Sequence, residues 1–373
     1  MSLSKVTEGL TFDDVLLVPQ RSSVLPRYTK PRTTLLPGLV LPLPIISAAM
    51  DTVTEAPLAT KLALLGGMGI IHKNMSIEQE VSAVLAVKEA DSSQSDNPAR
   101  DEQGKLLVGA AVSVGENERA AKLVDAGVDL LAVDSAHGHS EAVLETVSEL
   151  TSNFDVPVMA GNVATGQAVR DLAKVGAKIV KVGVGPGSIC TTRIIAGVGV
   201  PQLTALNWAC EAAKEVGVSI VADGGIRYSG DCVKALAAGA NAVMIGRLFS
   251  GTDEAPGRKV MIDGRIFKSY RGMGSVEAMS DGSASRYGQD SDDEPAKLVP
   301  EGVEAVVPAI GPLERVVYQF AGGLKAGMGY LGAATLQELT KNAQFVRQTL
   351  SGFRESHPHG LAQFTQAPNY EGQ

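Results

Sequence analysis

Between residues 44 and 246 the chain alternates between two textures. Short runs of β-branched and small apolar residues end in Gly, Ser, Asp or Asn, and a longer stretch rich in Ala, Leu, Glu and Lys follows each. Unbroken short apolar runs suit strands covered on both faces, and the longer stretches carry apolar positions at helical spacing. The pattern predicts strands over 44–47, 69–72, 107–112, 130–134, 156–161, 179–183, 219–223 and 242–246. It predicts helices over 56–65, 77–87, 116–126, 141–150, 166–175, 202–216 and 229–238. Eight strands alternating with helices predict an α/β fold of the (β/α)8 TIM-barrel type rather than an open doubly wound sheet.

Four stretches stand outside this rhythm. Residues 1–43 are Pro-rich and irregular, with 10–16 the one compact piece. Residues 89–105 are polar, almost free of large apolar side chains, and read as a flexible linker. Residues 251–307 are far too long for an ordinary loop. They hold a hairpin pattern over 259–268 with Asp263-Gly264 as its turn. That insertion is either disordered or a mobile flap after the last strand. Residues 308–353 return to helical texture, with Gly322-Gly323 and Gly327-Met328-Gly329 expected to mark turns. Residues 1–373 are expected to form one barrel domain.

Composition narrows the partners. The net charge is −8 and no basic cluster stands out, which argues against nucleic acid. No apolar run approaches the roughly 18 residues of a membrane span, and the N-terminus lacks the apolar segment of a signal peptide. Three well-separated cysteines suit a reducing compartment. A cytoplasmic protein with no membrane association is expected.

The chemistry concentrates where the strands end. In a TIM barrel the active site forms at the C-terminal ends of the strands. Met50 and Asp51 follow the first predicted strand, His72-Lys73-Asn74 the second, and Asp134-Ser135 the fourth. Gly161-Asn162 closes the fifth, Asp223-Gly224-Gly225 the seventh and Gly246-Arg247 the eighth. After the sixth comes Gly185-Pro186-Gly187-Ser188-Ile189-Cys190-Thr191-Thr192-Arg193, whose glycines and proline forbid both helix and strand. Cys190 there is either a nucleophile in a polar, electropositive turn or a small buried hydrophobe. Gly turns after strands seven and eight suit a phosphate, and Asp223 suits sugar hydroxyls or a helix cap. His72, His137 and His139 lack zinc spacing, so no transition metal is expected.

The loop at 185–193, together with Asp223-Gly224-Gly225-Ile226, Tyr270-Arg271-Gly272-Met273-Gly274-Ser275 and the run 321–330, resembles the inosine-5′-monophosphate (IMP) dehydrogenase family. The resemblance runs from Phe12-Asp13-Asp14-Val15 to the C-terminal tail. It implies oxidation of IMP to XMP with NAD⁺ and water, a step toward guanine nucleotides, through a thioimidate on Cys190. It also implies that Ser188, Gly225, Gly246 and Tyr270 hold the substrate's phosphate and Asp223 its ribose. Met50, Met273, Gly274 and Glu301 would meet the base. Asp134 and Ser135 would face the NAD ribose, with Asn162 and Arg193 near the reacting centre.

By the same resemblance the flap's Arg286 would activate water, with Tyr287 and Thr192 positioning it and Glu301–Thr192 as a second proton path. Carbonyls of Gly185, Gly187 and Cys190 would hold K⁺, and the assembly would be a homotetramer. Two features depart from the family. The 89–105 stretch occupies the place of a pair of cystathionine-β-synthase regulatory repeats, and Arg247 stands where a serine is usual. The rival within the same fold is GMP reductase, which lacks the Arg286-Tyr287 pair.

Overall fold

The computed structural model describes residues 6–93, 95–289, 295–363, 365 and 367–370. Eight parallel strands close a barrel: β1 (Ile45–Ser47), β2 (Met68–Ile71), β3 (Val108–Val112), β4 (Leu130–Asp134), β5 (Val158–Val163), β6 (Ile179–Val182), β7 (Ser219–Asp223) and β8 (Ala242–Ile245). The ring closes where Val243, Met244 and Ile245 of β8 pair with Ile45, Ile46 and Ser47 of β1. All eight predicted strands are present, with ends moved by no more than two residues.

Side-chain alternation explains why each strand is apolar on both faces. Leu130 and Ala132 of β4, Met159 of β5, Ile179 of β6 and Val221 of β7 fill the barrel interior. Their neighbours Leu131, Val133, Val158, Ala160, Val180, Val182, Ile220 and Ala222 meet the surrounding helices. Successive strand side chains point to opposite faces, so one side of each strand packs the barrel and the other packs the helix layer. The helices are α1 (Ala56–Leu64), α2 (Ile77–Glu89), α3 (Asn117–Asp125), α4 (Glu141–Asn153), α5 (Gly166–Lys174), α6 (Gln202–Val216) and α7 (Ser229–Ala237).

Two expectations about the flanks need correction. The first 43 residues are not simply irregular. Val15–Leu17 pairs antiparallel with Phe345–Arg347, and Thr33–Leu36 forms a ribbon with Leu39–Leu41. These pairings join residues far apart or through a short turn, and local texture carries no trace of them. Nor do the glycines near residue 325 mark turns, because α8 (Leu313–Tyr330) runs through all of them. A Cβ on Gly323 would collide with Ser229, and one on Gly327 would lie 2.7 Å from the Val233 side chain. Glycine costs about 1 kcal/mol inside a helix; here it lets α8 lie close against α7.

The 251–307 insertion begins with the predicted hairpin, β9 (Lys259–Ile262) against β10 (Arg265–Arg271), and gains a third strand, β11 (Glu304–Pro308). Asp263 and Gly264 both take positive φ, 48° and 74°, as a two-residue hairpin turn requires. In the 89–105 stretch, Asp101 accepts from Lys88 at 2.9 Å, and the Ala99 amide donates to the Ala63 carbonyl at 2.8 Å.

Candidate active site at the mouth of the barrel

The floor of the mouth is a polar layer set by strand parity. Asp134, Lys181 and Asp223 occupy inward positions on β4, β6 and β7, and Asn162 lies on β5 between them. Lys181 is 3% exposed. Its Nζ donates to Asp134 Oδ1 at 2.9 Å, to Asp223 Oδ2 at 2.9 Å and to Asn162 Oδ1. Asn162 Nδ2 donates to the Gly183 carbonyl and to Asp223 Oδ2, both at 2.8 Å. A buried ammonium is costly unless paired and hydrogen-bonded, and all three of its protons have acceptors here. Asp223 Oδ1 has no hydrogen-bond partner among the described residues and remains available to a sugar hydroxyl. Lys181 was not singled out in the sequence. The available signal was a lysine at an inward position of an otherwise apolar strand.

The loop after β6 turns back over this floor. Gly183 has φ 154° and sits so close to the Asp223 carbonyl that no side chain fits. The Cys190 amide donates to the Gly187 carbonyl at 3.1 Å, and the Thr191 amide to the Glu301 carbonyl at 2.8 Å. The Cys190 Sγ lies 3.1 Å from Thr192 Oγ1. The three cysteines divide cleanly. Cys210 and Cys232 are buried, and desolvation pushes Cys210 up to about 12 and raises Cys232 as well. Cys190 is half-buried and borders the cavity.

Residues of the insertion cover the mouth. The Arg286 guanidinium ion-pairs with Asp134, and its backbone carbonyl accepts from the Ala136 amide at 3.0 Å. Ser285 Oγ lies 3.3 Å from Lys73 Nζ and 3.1 Å from Ser113 Oγ. Arg271 joins the insertion to the rim: its NH2 is 2.6 Å from Asp51 Oδ2 and 2.8 Å from Asp281 Oδ2. Burial works against the Arg271 charge, but the carboxylates of Asp51, Asp281 and Glu277 hold its pKa above the usual range. The Tyr287 ring abuts Gly274, where a Cβ would lie 2.6 Å from Cζ. Burial raises the pKa of the Tyr287 phenol against the pull of Arg286.

Met50, Asp134, Asn162, Cys190, Asp223, Tyr270, Met273, Arg286, Tyr287 and Glu301 all border one cavity of about 130 Å³. Gly274 bonds Glu301 through its carbonyl at 3.0 Å. Tyr270 links the cavity to the remaining expected residues. Its hydroxyl bonds Ser188 and would lie 3.2 Å from a Cβ on Gly246. Burial pushes the Tyr270 phenol up to about 12. Gly225 packs beside Phe12 and Pro186 at φ 79°. Ser188 and Arg247 border a second cavity instead. Arg193 lies outside the first cavity, holding the loop through the carbonyls of Val184 at 3.1 Å and Val200 at 2.6 Å.

Residues 9–359 match the IMP dehydrogenase / GMP reductase domain. An inosine-5′-monophosphate dehydrogenase of Cryptosporidium parvum is 48% identical over 399 aligned positions, covering 99% of this chain and 100% of that protein. One from Borreliella burgdorferi is 47% identical over 402, covering 97% and 100%. One from Aquifex aeolicus (strain VF5) is 44% identical over 484, covering 98% of each. The Aquifex alignment exceeds this chain by at least 111 positions (484 − 373), so that relative carries at least that many residues with no counterpart here. The chain is an oxidoreductase of the IMP dehydrogenase / GMP reductase family, on its IMP dehydrogenase side and in the short form without the regulatory repeats.

Proposed function

We propose that the chain catalyses IMP + NAD⁺ + H₂O → XMP + NADH + H⁺, with Cys190 bonded covalently to C2 of the purine between two half-reactions. The carrying observation is that the Cys190 thiol, the Asp223 carboxylate and the Arg286–Tyr287 pair border one cavity. In the first half-reaction the Cys190 thiolate adds to C2 and the C2 hydride departs. Thr192 Oγ1, 3.1 Å from the sulfur, receives or relays the thiol proton. Asp223, oriented by Lys181 and Asn162, holds the ribose, and Met50 and Met273 flank the base. NAD⁺, when bound, accepts the hydride.

The donor set suits that cofactor. Asp134 borders the cavity, and the adjacent Ser135 hydroxyl is buried with no partner among the described residues. In the second half-reaction water adds to C2 and the C–S bond breaks, returning the thiol and giving XMP. Arg286 and Tyr287 border the cavity where that water must sit, and Glu301 with Thr192 offers a second proton path. Arg286 occupies Asp134, the carboxylate expected to receive the cofactor ribose, so flap and cofactor exclude each other. That exclusion favours hydrolysis over the reductive deamination of a GMP reductase.

The carbonyls of Gly185 and Cys190 accept no hydrogen bond among the described residues, which fits a monovalent cation held with the Gly187 carbonyl. K⁺ there would hold the loop in shape, and activity should fall when Li⁺ replaces it. A homotetramer is proposed from the family resemblance. The test of the chemistry is Cys190→Ala, which should bind IMP within about threefold of the parent, since phosphate and ribose contacts lie elsewhere. It should form no NADH. Turnover by that variant would remove Cys190 from the reaction.

A further inference from the structure

The His72-Lys73-Asn74 turn after β2 is one of the polar strand ends read from the sequence, yet Lys73 lies outside the first cavity. The turn is held on both sides of the lysine. The Asn74 amide donates to His72 Nδ1 at 3.1 Å, and Asn74 Nδ2 donates to Asp51 Oδ2 at 2.7 Å. From this turn Lys73 reaches the flap, where its Nζ donates to Ser285 Oγ at 3.3 Å. The buried Ser113, just past the end of β3, brings its Oγ to 3.1 Å from the same Ser285 oxygen. Ser113 is fixed in turn, because its amide donates to Glu116 Oε2 at 2.6 Å. Arg119 then donates to Glu116 Oε1 from Nε at 3.2 Å and to the fully buried Glu80 from NH1 at 2.5 Å. Ser113 and Ser285 also lie outside the first cavity, but Ser285 immediately precedes Arg286, which borders it.

We propose that Lys73 and Ser113 dock the flap through Ser285, and so set the balance between a closed form that hydrolyses and an open form that admits cofactor. The inference rests on the function proposed above. Both are positioning residues, acting through Ser285 rather than on the reacting atoms. The electrostatics make this dock a weak one. Burial lowers the Lys73 pKa most; Glu116 and Glu80 pull it upward, while Arg119 and the flap's Arg286 push it down. Closing therefore brings two cationic side chains near each other, with Glu116 and Glu80 offsetting one and Asp134 the other. Ser285 is exposed, so water can take over its hydrogen bonds once the flap lifts. Bonds to one hydroxyl, opposed by like charge, hold the flap without locking it. Alternation between cofactor and water requires that.

The experiment is rapid mixing of the full chain with IMP over a range of NAD⁺, following the NADH burst and the slow phase. For a closure constant Kc, the slow-phase rate scales as Kc/(1 + Kc). The apparent Ki of NAD⁺ against that phase scales as 1 + Kc, because only the open form admits cofactor. Their product therefore reports Kc alone. Ser285→Ala should lower the product about tenfold, the low end for a hydrogen bond to a charged group, and leave the burst rate within about twofold. Lys73→Ala loses the same bond but also the repulsion of Arg286, so its drop should be smaller, about threefold. Adding Lys73→Ala to Ser285→Ala should lower the product no further, since only the repulsion is left to remove. The proposal is overturned if Ser285→Ala, a truncation at an exposed position that should not unfold the chain, leaves the product unchanged. It is equally overturned if the burst slows in step with the slow phase, or if the two single effects multiply in the double variant. A parent chain that shows no burst strikes instead at the function proposed above, so the two failures are separable.

Discussion

The floor of the barrel and the flap above it hold their charges in contrasting ways. On the floor, one ammonium meets three acceptors from three different strands, and the strand register fixes every distance. On the flap, Arg286 reaches Asp134 from a loop and its Nε stays buried with no partner among the described residues. On the floor every proton of the ammonium is matched, and the proposed reaction needs the Arg286 contact to be replaceable. That difference suits a reaction in which the purine stays put while the group beside its C2 changes from a cofactor to a water. Each side of the contrast can be tested by removing its cation.

The largest effect is expected from Lys181→Met. It leaves the half-buried Asp223 without its cation and Asp134 with Arg286 alone, at a stability cost of about 3–5 kcal/mol. Both carboxylates, proposed above to hold the two riboses, lose their orientation. A misplacement near 1 Å can cost about 10²-fold, so two together should lower kcat/KM by roughly 10⁴-fold. Rapid mixing should show the NADH burst slowed along with steady turnover. Lys181→Arg keeps the charge and serves as the variant that folds if the methionine does not; its distorted fork should still raise the KM for both IMP and NAD⁺. An unchanged KM for both in a folded variant would reduce Lys181 to a structural role.

Next comes Arg286→Ala. In the proposed reaction hydride transfer does not involve Arg286, so a burst approaching one NADH per subunit should survive. Steady turnover should fall about 10²-fold, the lower end for loss of a general base, because the Glu301–Thr192 path remains. Loss of the burst at normal ligand affinity would move Arg286 into the hydride step and end the contrast drawn here.

The same contrast governs what could be read from the residues. The floor obeys the two-residue period of strands, so Asp134 and Asp223 were legible as rim groups from where the apolar runs ended. Lys181 is harder to see because it sits within an otherwise apolar run, although its parity with Asp223 can be counted. The Cys190 loop was legible from glycine and proline alone. What binds Arg286 to Asp134, or β11 to β10, spans more than 30 residues and leaves no local trace. The glycines of α8 misled for another reason. A glycine that permits close helix packing and one that ends a helix look identical until the neighbour is known.

The smallest effect separates the two members of the flap pair. Burial raises the Tyr287 pKa, which favours the neutral phenol and argues against Tyr287 as the base. The sign is fixed: a raised acid pKa favours the neutral form below the unfolded value near 10, and ionisation sets in only above it. Tyr287 then contributes a hydrogen bond to Arg286 and its packing on Gly274. Tyr287→Phe keeps the ring and loses only the hydroxyl, so hydrolysis should slow by about 2- to 10-fold, the range for one hydrogen bond. The shape of the pH profile of the slow phase should be the same in parent and variant between pH 7 and 9.5. If the parent instead gained rate with an apparent pKa of 8–9 and Tyr287→Phe lost that limb, the phenolate would be the base. The flap arginine would then be its electrostatic partner rather than the group that takes the proton from water.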